Sequence, residues 1–127
     1  MERETRAVAK NWKAEAIGSC GELIADHFLI DSRYQVIDKN WRRKLGEIDI
    51  VAISPDGELT FVEVKTRSSQ RFGLGVEAIS REKYQRIYLL GLHWCRENNF
   101  PPKFRVDVIS IDNFVFPMIS HIRRVIL

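Results

Sequence analysis

Two short runs of this sequence carry residue types that could do chemistry. Gly46-Glu47-Ile48-Asp49-Ile50-Val51 and Phe61-Val62-Glu63-Val64-Lys65-Thr66-Arg67 set carboxylates and a lysine inside segments that otherwise read as buried β-strand. Carboxylate and ammonium groups are seldom fully buried unless they are paired or bind a metal, so Asp49, Glu63 and Lys65 suggest a site rather than a core. Phosphodiester hydrolysis would suit them. It needs an activated water, stabilisation of the charge that develops around phosphorus, and an ion or acid for the leaving oxygen. Magnesium, or manganese in its place, takes oxygen ligands and only one or two carboxylates, which leaves positions for water and phosphate. Asp49 and Glu63 would supply that pair, with the Val64 backbone carbonyl as a further ligand. Lys65, partly buried beside them, would orient or activate the attacking water. The competing reading is a structural salt bridge across a hairpin.

The surrounding elements must bring these groups together. Pro55-Asp56-Gly57 is a hairpin turn signal, because proline presets φ, aspartate bonds its own turn and glycine accepts positive φ. With those three residues as the loop, Ser54 faces Glu58, and counting outward sets Asp49 opposite Glu63. Period two then puts Glu63 and Lys65 on one face of their strand and Val62 and Val64 on the other. Strands are expected over Tyr34 to Arg42, Gly46 to Ser54, Glu58 to Arg67 and Phe104 to Ile111. A helix is expected from an N-cap at Ser80 to a stop before Pro101-Pro102. That helix makes a βαβ crossover, so the strands on either side of it should be parallel. Upstream, Ala9, Trp12, Ala16, Ile17, Leu23, Ile24, His27 and Phe28 recur at helical spacing from about Thr5 to Asp31, with Gly18 and Gly21 weakening the pattern. The resulting order is α-β-β-β-α-β in an α/β domain spanning residues 1–127. Disorder is expected within residues 1–8, and residues 114–127 read as a tail, an edge strand or a dimer contact.

A chain of 127 residues with 45% hydrophobic and 29% charged residues can bury one core. Its net charge of +3 permits a polyanionic partner without requiring one. The distribution says more. Arg42, Arg43 and Lys44 precede the acidic strand, Arg67 follows the next one, and Lys83 and Arg86 share a face of the later helix. These six are the candidate contacts to nucleic-acid phosphates, which give salt-sensitive affinity independent of sequence. For Lys83 and Arg86 a solvated helix face is the alternative. Cys20 and Cys95 fit no metal or dithiol spacing and read as two reduced, buried thiols. With no apolar leader and no run near the length of a membrane span, a cytoplasmic protein without membrane contact is expected.

Other residues read blandly. Glu47, on the strand face of Asp49, reads as a supporting or structural residue. Asp107 reads as the neutralising partner of Lys83, Arg86 or Arg105. His27, His93 and His121 lack ligand spacing, Gly73-Leu74-Gly75 reads as a flexible loop, and Trp41 reads as core.

Taken together, Gly21-Glu22, Asn40, Gly46-Glu47-Ile48-Asp49, Phe61 to Arg67, Phe72-Gly73 and Arg105-Val106-Asp107-Val108 resemble the YraN-like family of predicted endonucleases. That family lies within the restriction-endonuclease-like superfamily with the PD-(D/E)xK motif. Asp49 matches the first acid of the motif and Glu63-Val64-Lys65 its ExK part. Glu22 matches an extra glutamate found in resolvase-like branches, which implies that it assists at the metal. The resemblance implies a restriction-endonuclease-like core with a mixed sheet between helices. It also implies a magnesium- or manganese-dependent endonuclease acting on DNA, branched or single-stranded. One centre per compact chain means that cutting two strands in one encounter would require a homodimer. Superfamily members that bind nucleic acid without cutting it supply the alternative, a non-cleaving binding module. The chain departs from the family at Ser32-Arg33, where glycine is usual, and at Val106, where phenylalanine is.

Overall fold

The computed structural model describes residues 4–8, 21–67, 79–112 and 118–126. Within them, six strands build one mixed sheet: β1 (Glu4–Val8), β2 (Gln35–Arg43), β3 (Gly46–Ile53), β4 (Leu59–Arg67), β5 (Arg105–Asp112) and β6 (Met118–Ile122). Their order across the sheet is β1-β6-β5-β4-β3-β2. β4 and β5 run parallel, and the remaining neighbours are antiparallel. Helix α1 (Gly21–Asp31) precedes β2, and α2 (Arg81–Asn98) makes the crossover between β4 and β5. This is the α-β-β-β-α-β core expected from the sequence, including the parallel pair that the crossover requires.

The two helices cover opposite faces. Phe61 and Val62 are consecutive on β4, so their side chains point to different sides of the sheet. Phe61 packs with Ile87, Leu90 and Trp94 of α2, whereas Val62 packs with Ile24, Ala25, Phe28 and Leu29 of α1. Both hydrophobic stripes follow helical spacing, which is why amphipathic periodicity located both elements.

Caps set the helix limits. Ser80 is the N-cap of α2, its hydroxyl accepting from the Lys83 N–H, and Asn99 closes the helix in the left-handed conformation. α1 ends in a Schellman turn, with Tyr34 N–H bonded to the Leu29 carbonyl and Arg33 N–H to that of Ile30. The left-handed position of that turn belongs to Arg33, at φ 69°. A left-handed position of this kind favours glycine, which has no Cβ to oppose it.

Two expectations give way at the termini. Over Glu4–Val8 the chain is neither helical nor disordered but forms β1, pairing with β6 from Glu4 opposite Ile122 to Val8 opposite Met118. Backbone bonding to a distant strand overrides a local period that the sequence displays only weakly there. Residues 9–20, which carry the rest of the helical pattern, lie outside the described residues, as do Cys20 and the Gly73-Leu74-Gly75 loop. At the other end, Met118–Ile122 is an interior strand rather than a tail or an edge, because β1 lies against its outer side.

Candidate metal centre

The hairpin between β3 and β4 closes as expected, with Ser54 N–H bonded to the Glu58 carbonyl and Gly57 N–H to that of Ser54. Gly57 takes φ 88°, which its missing side chain permits. The resulting register pairs Ile53 with Leu59 and continues to Ile50 opposite Val62, so Asp49 and Glu63 come next in line. β4 goes on pairing with β5 as far as Arg67 opposite Asp112. Beyond Ile50, the Val64 N–H donates to Oδ2 of Asp49 at 2.8 Å. A carboxylate thus takes over the bonding role of a strand backbone.

β3 is irregular at this point. Ile48 and Ile50 would share a face under strict alternation, yet Ile48 packs with the α2 cluster and Ile50 with the α1 cluster. On the neighbouring β2, Asn40 has φ 52° and falls between the pairs Lys39 with Ile50 and Trp41 with Ile48, opposite Asp49. The break in alternation turns Asp49 toward β4.

Carboxylates converge here from three elements. Oxygens of Glu22, Glu47 and Asp49 all lie within 4.8 Å of one another. Glu22 reaches them from the first turn of α1, whose start sits hard against β4: a Cβ added at Gly21 would lie 2.0 Å from the Thr66 hydroxyl oxygen. Glu63 is 5% exposed and pairs with the Lys83 ammonium at 2.5 Å. The mutual repulsion is visible in the protonation behaviour. Burial, then the Glu63 charge, push the Asp49 carboxyl up to about 7, against the opposing pull of the Val64 N–H. Burial, then the Glu47 and Glu63 charges, raise Glu22 as well. A cleft of about 200 Å³ opens over these acids, with Glu47, Asp49 and Glu63 on the sheet side and Lys83 and Arg86 on the α2 side.

The other predicted residues divide. Lys65 is exposed rather than partly buried, because β4 has by then run past its pairing with β3. Val64 contributes its N–H to Asp49. Arg42 is bound to Glu47 at 2.7 Å. Arg43 reaches Glu97 of α2 at 2.5 Å and lies over the Trp41 ring at 4.2 Å. Lys44 is exposed in the β2–β3 turn, and the side chain of Arg67 lies outside the described residues. Glu47, read from the sequence as supporting, stands among the clustered carboxylates. Its position two residues before Asp49 was the available signal.

Asp107 belongs to a separate buried network. It receives the Arg105 guanidinium at 3.2 Å, the Arg124 N–H at 3.0 Å and His121 Nε2 at 2.8 Å. Of the expected partners Arg105 is correct, whereas Lys83 and Arg86 face the cleft. Cys95 is a free, buried thiol.

Acids gathered at the split between two antiparallel strands stand on a mixed α/β fold, α-β-β-β-α-β at its centre, that is compatible with a restriction-endonuclease-like core. Comparison with known sequences agrees with the motifs: the chain belongs to the uncharacterised protein family UPF0102, the YraN-like family, which matches residues 21–111. It is 42% identical over 114 residues to a UPF0102 protein of Paenarthrobacter aurescens (strain TC1), covering 87% of this chain and 93% of that relative. A UPF0102 protein of Leifsonia xyli subsp. xyli (strain CTCB07) is 43% identical over 103 residues, 80% of this chain and 86% of the relative. One from Rhodococcus opacus (strain B4) is 39% identical over 111 residues, 85% and 93% respectively. Among the described residues, no helix is long and apolar enough to cross a membrane.

Proposed function

We propose that this protein is a cytoplasmic, magnesium- or manganese-dependent endonuclease that hydrolyses phosphodiester bonds in DNA. The observation that carries the reading is the meeting of Glu22, Glu47 and Asp49 within 4.8 Å beside buried Glu63. Two basic side chains, Lys83 and Arg42, pair with Glu63 and Glu47, and Asp49 is still pushed up to about 7. A donor set of hard oxygens with surplus negative charge fits a hard divalent cation. Asp49 and Glu63 would hold it, with Glu22, Glu47 and the Val64 carbonyl as further oxygens. When bound, the ion supplies a nucleophilic water and charge stabilisation at phosphorus.

The chain's own groups do the rest. Val64 N–H holds Asp49 in one orientation. Lys65, exposed on β4 two residues after Glu63, orients the attacking water or balances phosphate charge. Arg86 and Lys83 on the cleft wall, with Arg42, Arg43, Lys44 and Arg67, contact phosphates, which favours branched or single-stranded DNA no more than duplex. A homodimer would supply a second centre for a second strand.

The test is magnesium and manganese titration of the wild type beside Asp49→Ala and Glu63→Ala, followed by cleavage assays on branched, single-stranded and nicked DNA. Metal-dependent cutting that Glu63→Ala and Lys65→Ala abolish, with folding retained, supports the reading. Full activity in both variants refutes it. The Lys83–Glu63 and Arg42–Glu47 pairs favour a second reading, a non-cleaving nucleic-acid-binding module with a salt-bridge cluster at its centre. It requires DNA affinity that is indifferent to metal.

A further inference from the structure

Among the acids of the centre, Glu63 is the most deeply covered carboxylate with a cation already in contact. The Lys83 ammonium lies 2.5 Å from its Oε2. The pair is asymmetric: the Glu63 side chain is 6% exposed and that of Lys83 39%. Lys83 therefore reaches in from solvent and can withdraw, whereas Glu63 cannot follow it.

Two further features make the contact specific. The main chain at Lys83 is tied to the Ser80 hydroxyl, which fixes the first turn of α2 and hence the direction from which the ammonium enters. Arg86, one turn along, lines the same cleft, so a withdrawn Lys83 would still belong to a positively charged wall. Lys65, the lysine singled out by the motif, is exposed on β4.

We propose that Lys83 is an intramolecular stand-in for the divalent cation: it neutralises Glu63 while the centre is empty, and on metal entry it is displaced toward the nucleic-acid phosphate. This rests on the metal reading of the site given above. Lys83 is thus a positioning residue with two alternate anionic partners. A single positive charge cannot satisfy both a carboxylate and a phosphate that has reached the cleft, so metal and nucleic acid favour each other's binding through it.

The inference has a signed consequence that a structural salt bridge lacks. A competing ammonium lowers metal affinity, so its removal must tighten binding. Calorimetric titration of manganese into the full chain compares wild type, Lys83→Met and Arg81→Met, the last removing an exposed charge from the same helical turn. Circular dichroism confirms that each variant is folded. The expected result is binding tightened about fivefold or more in Lys83→Met, and changed by less than about twofold in Arg81→Met. Binding seen in Lys83→Met but not in wild type would be the same effect in stronger form. Unchanged or weaker binding in a folded Lys83→Met overturns the exchange while leaving the metal site standing, as would equal tightening in both variants. Failure of every protein to bind manganese, with a single-stranded oligonucleotide present or absent, overturns the metal reading and this inference together.

Discussion

The Val64 N–H donates to Oδ2 of Asp49 at 2.8 Å, so a side chain stands in for strand pairing where β3 and β4 part. That one bond orients the carboxylate in a place where burial and the Glu63 charge both oppose its ionisation.

Stability should carry the mark of this conflict. The Asp49 carboxyl holds its proton more tightly in the folded chain, up to about 7, than its ordinary value of 3.8. The folded state therefore binds the extra proton between those limits. The stability that Asp49 contributes is fully present below the lower one and is lost as pH rises toward the upper. In the absence of divalent ions, urea unfolding should show a loss of roughly 2 kcal/mol across this window, discounted for solvent screening. Asp49→Asn should flatten the dependence; an unchanged slope would mean that Asp49 ionises freely.

Glu47 decides between a ligand and a partner for Arg42. As a ligand, Glu47→Gln should weaken manganese binding by about tenfold or more, while Arg42→Gln leaves it within about threefold. Equal, small effects from both would return Glu47 to a purely structural role.

The Asp107 network should be costly to break. Asp107 is fully covered, and its removal takes from the Arg105 guanidinium, 4% exposed, its nearer carboxylate, leaving it the Tyr34 hydroxyl and Glu58 at 3.9 Å. Asp107→Ala should destabilise by about 2–4 kcal/mol, the penalty of a buried charge only partly compensated. Denaturant midpoints measure it, and a loss below about 1 kcal/mol would show that water reaches the site.

Arg33 offers the opposite sign. It holds φ 69° at the end of α1, a conformation that costs an L-residue about 1 kcal/mol or more relative to glycine. Arg33→Gly should raise stability by about 1 kcal/mol, read as a higher melting temperature.

Gly91 sets two effects against each other. Alanine is the better helix former by about 1 kcal/mol, but a Cβ there would lie 2.8 and 2.9 Å from ring carbons of Phe61. Overpacking of that kind costs about 1–3 kcal/mol, and Phe61 is fully buried, packed edge-on against Trp94 and Phe104. Gly91→Ala should therefore lower the melting temperature; an increase would show that the ring moves aside.

By itself the sequence determined whatever depends on neighbours along the chain. The Pro55-Asp56-Gly57 turn sets a register that brings Asp49 and Glu63 close together, because a short hairpin loop fixes the pairing of the residues next to it. The Ser80 cap, the crossover helix and the parallel β4–β5 pair follow from local chemistry and handedness in the same way. Tertiary structure alone decided what depends on distant surfaces meeting. β1 forms only because β6 is there to bond it, so the helical spacing near Thr5 was no guide. Lys65 is exposed because β4 outruns β3, and the ammonium at Glu63 comes instead from Lys83, twenty residues later on the crossover helix. Glu47 joins Glu22 and Asp49 because α1 seats its glycine against Thr66, a contact that no spacing within a strand encodes. Periodicity reports which face a residue shares; only the packing of whole elements determines which charges share a cleft.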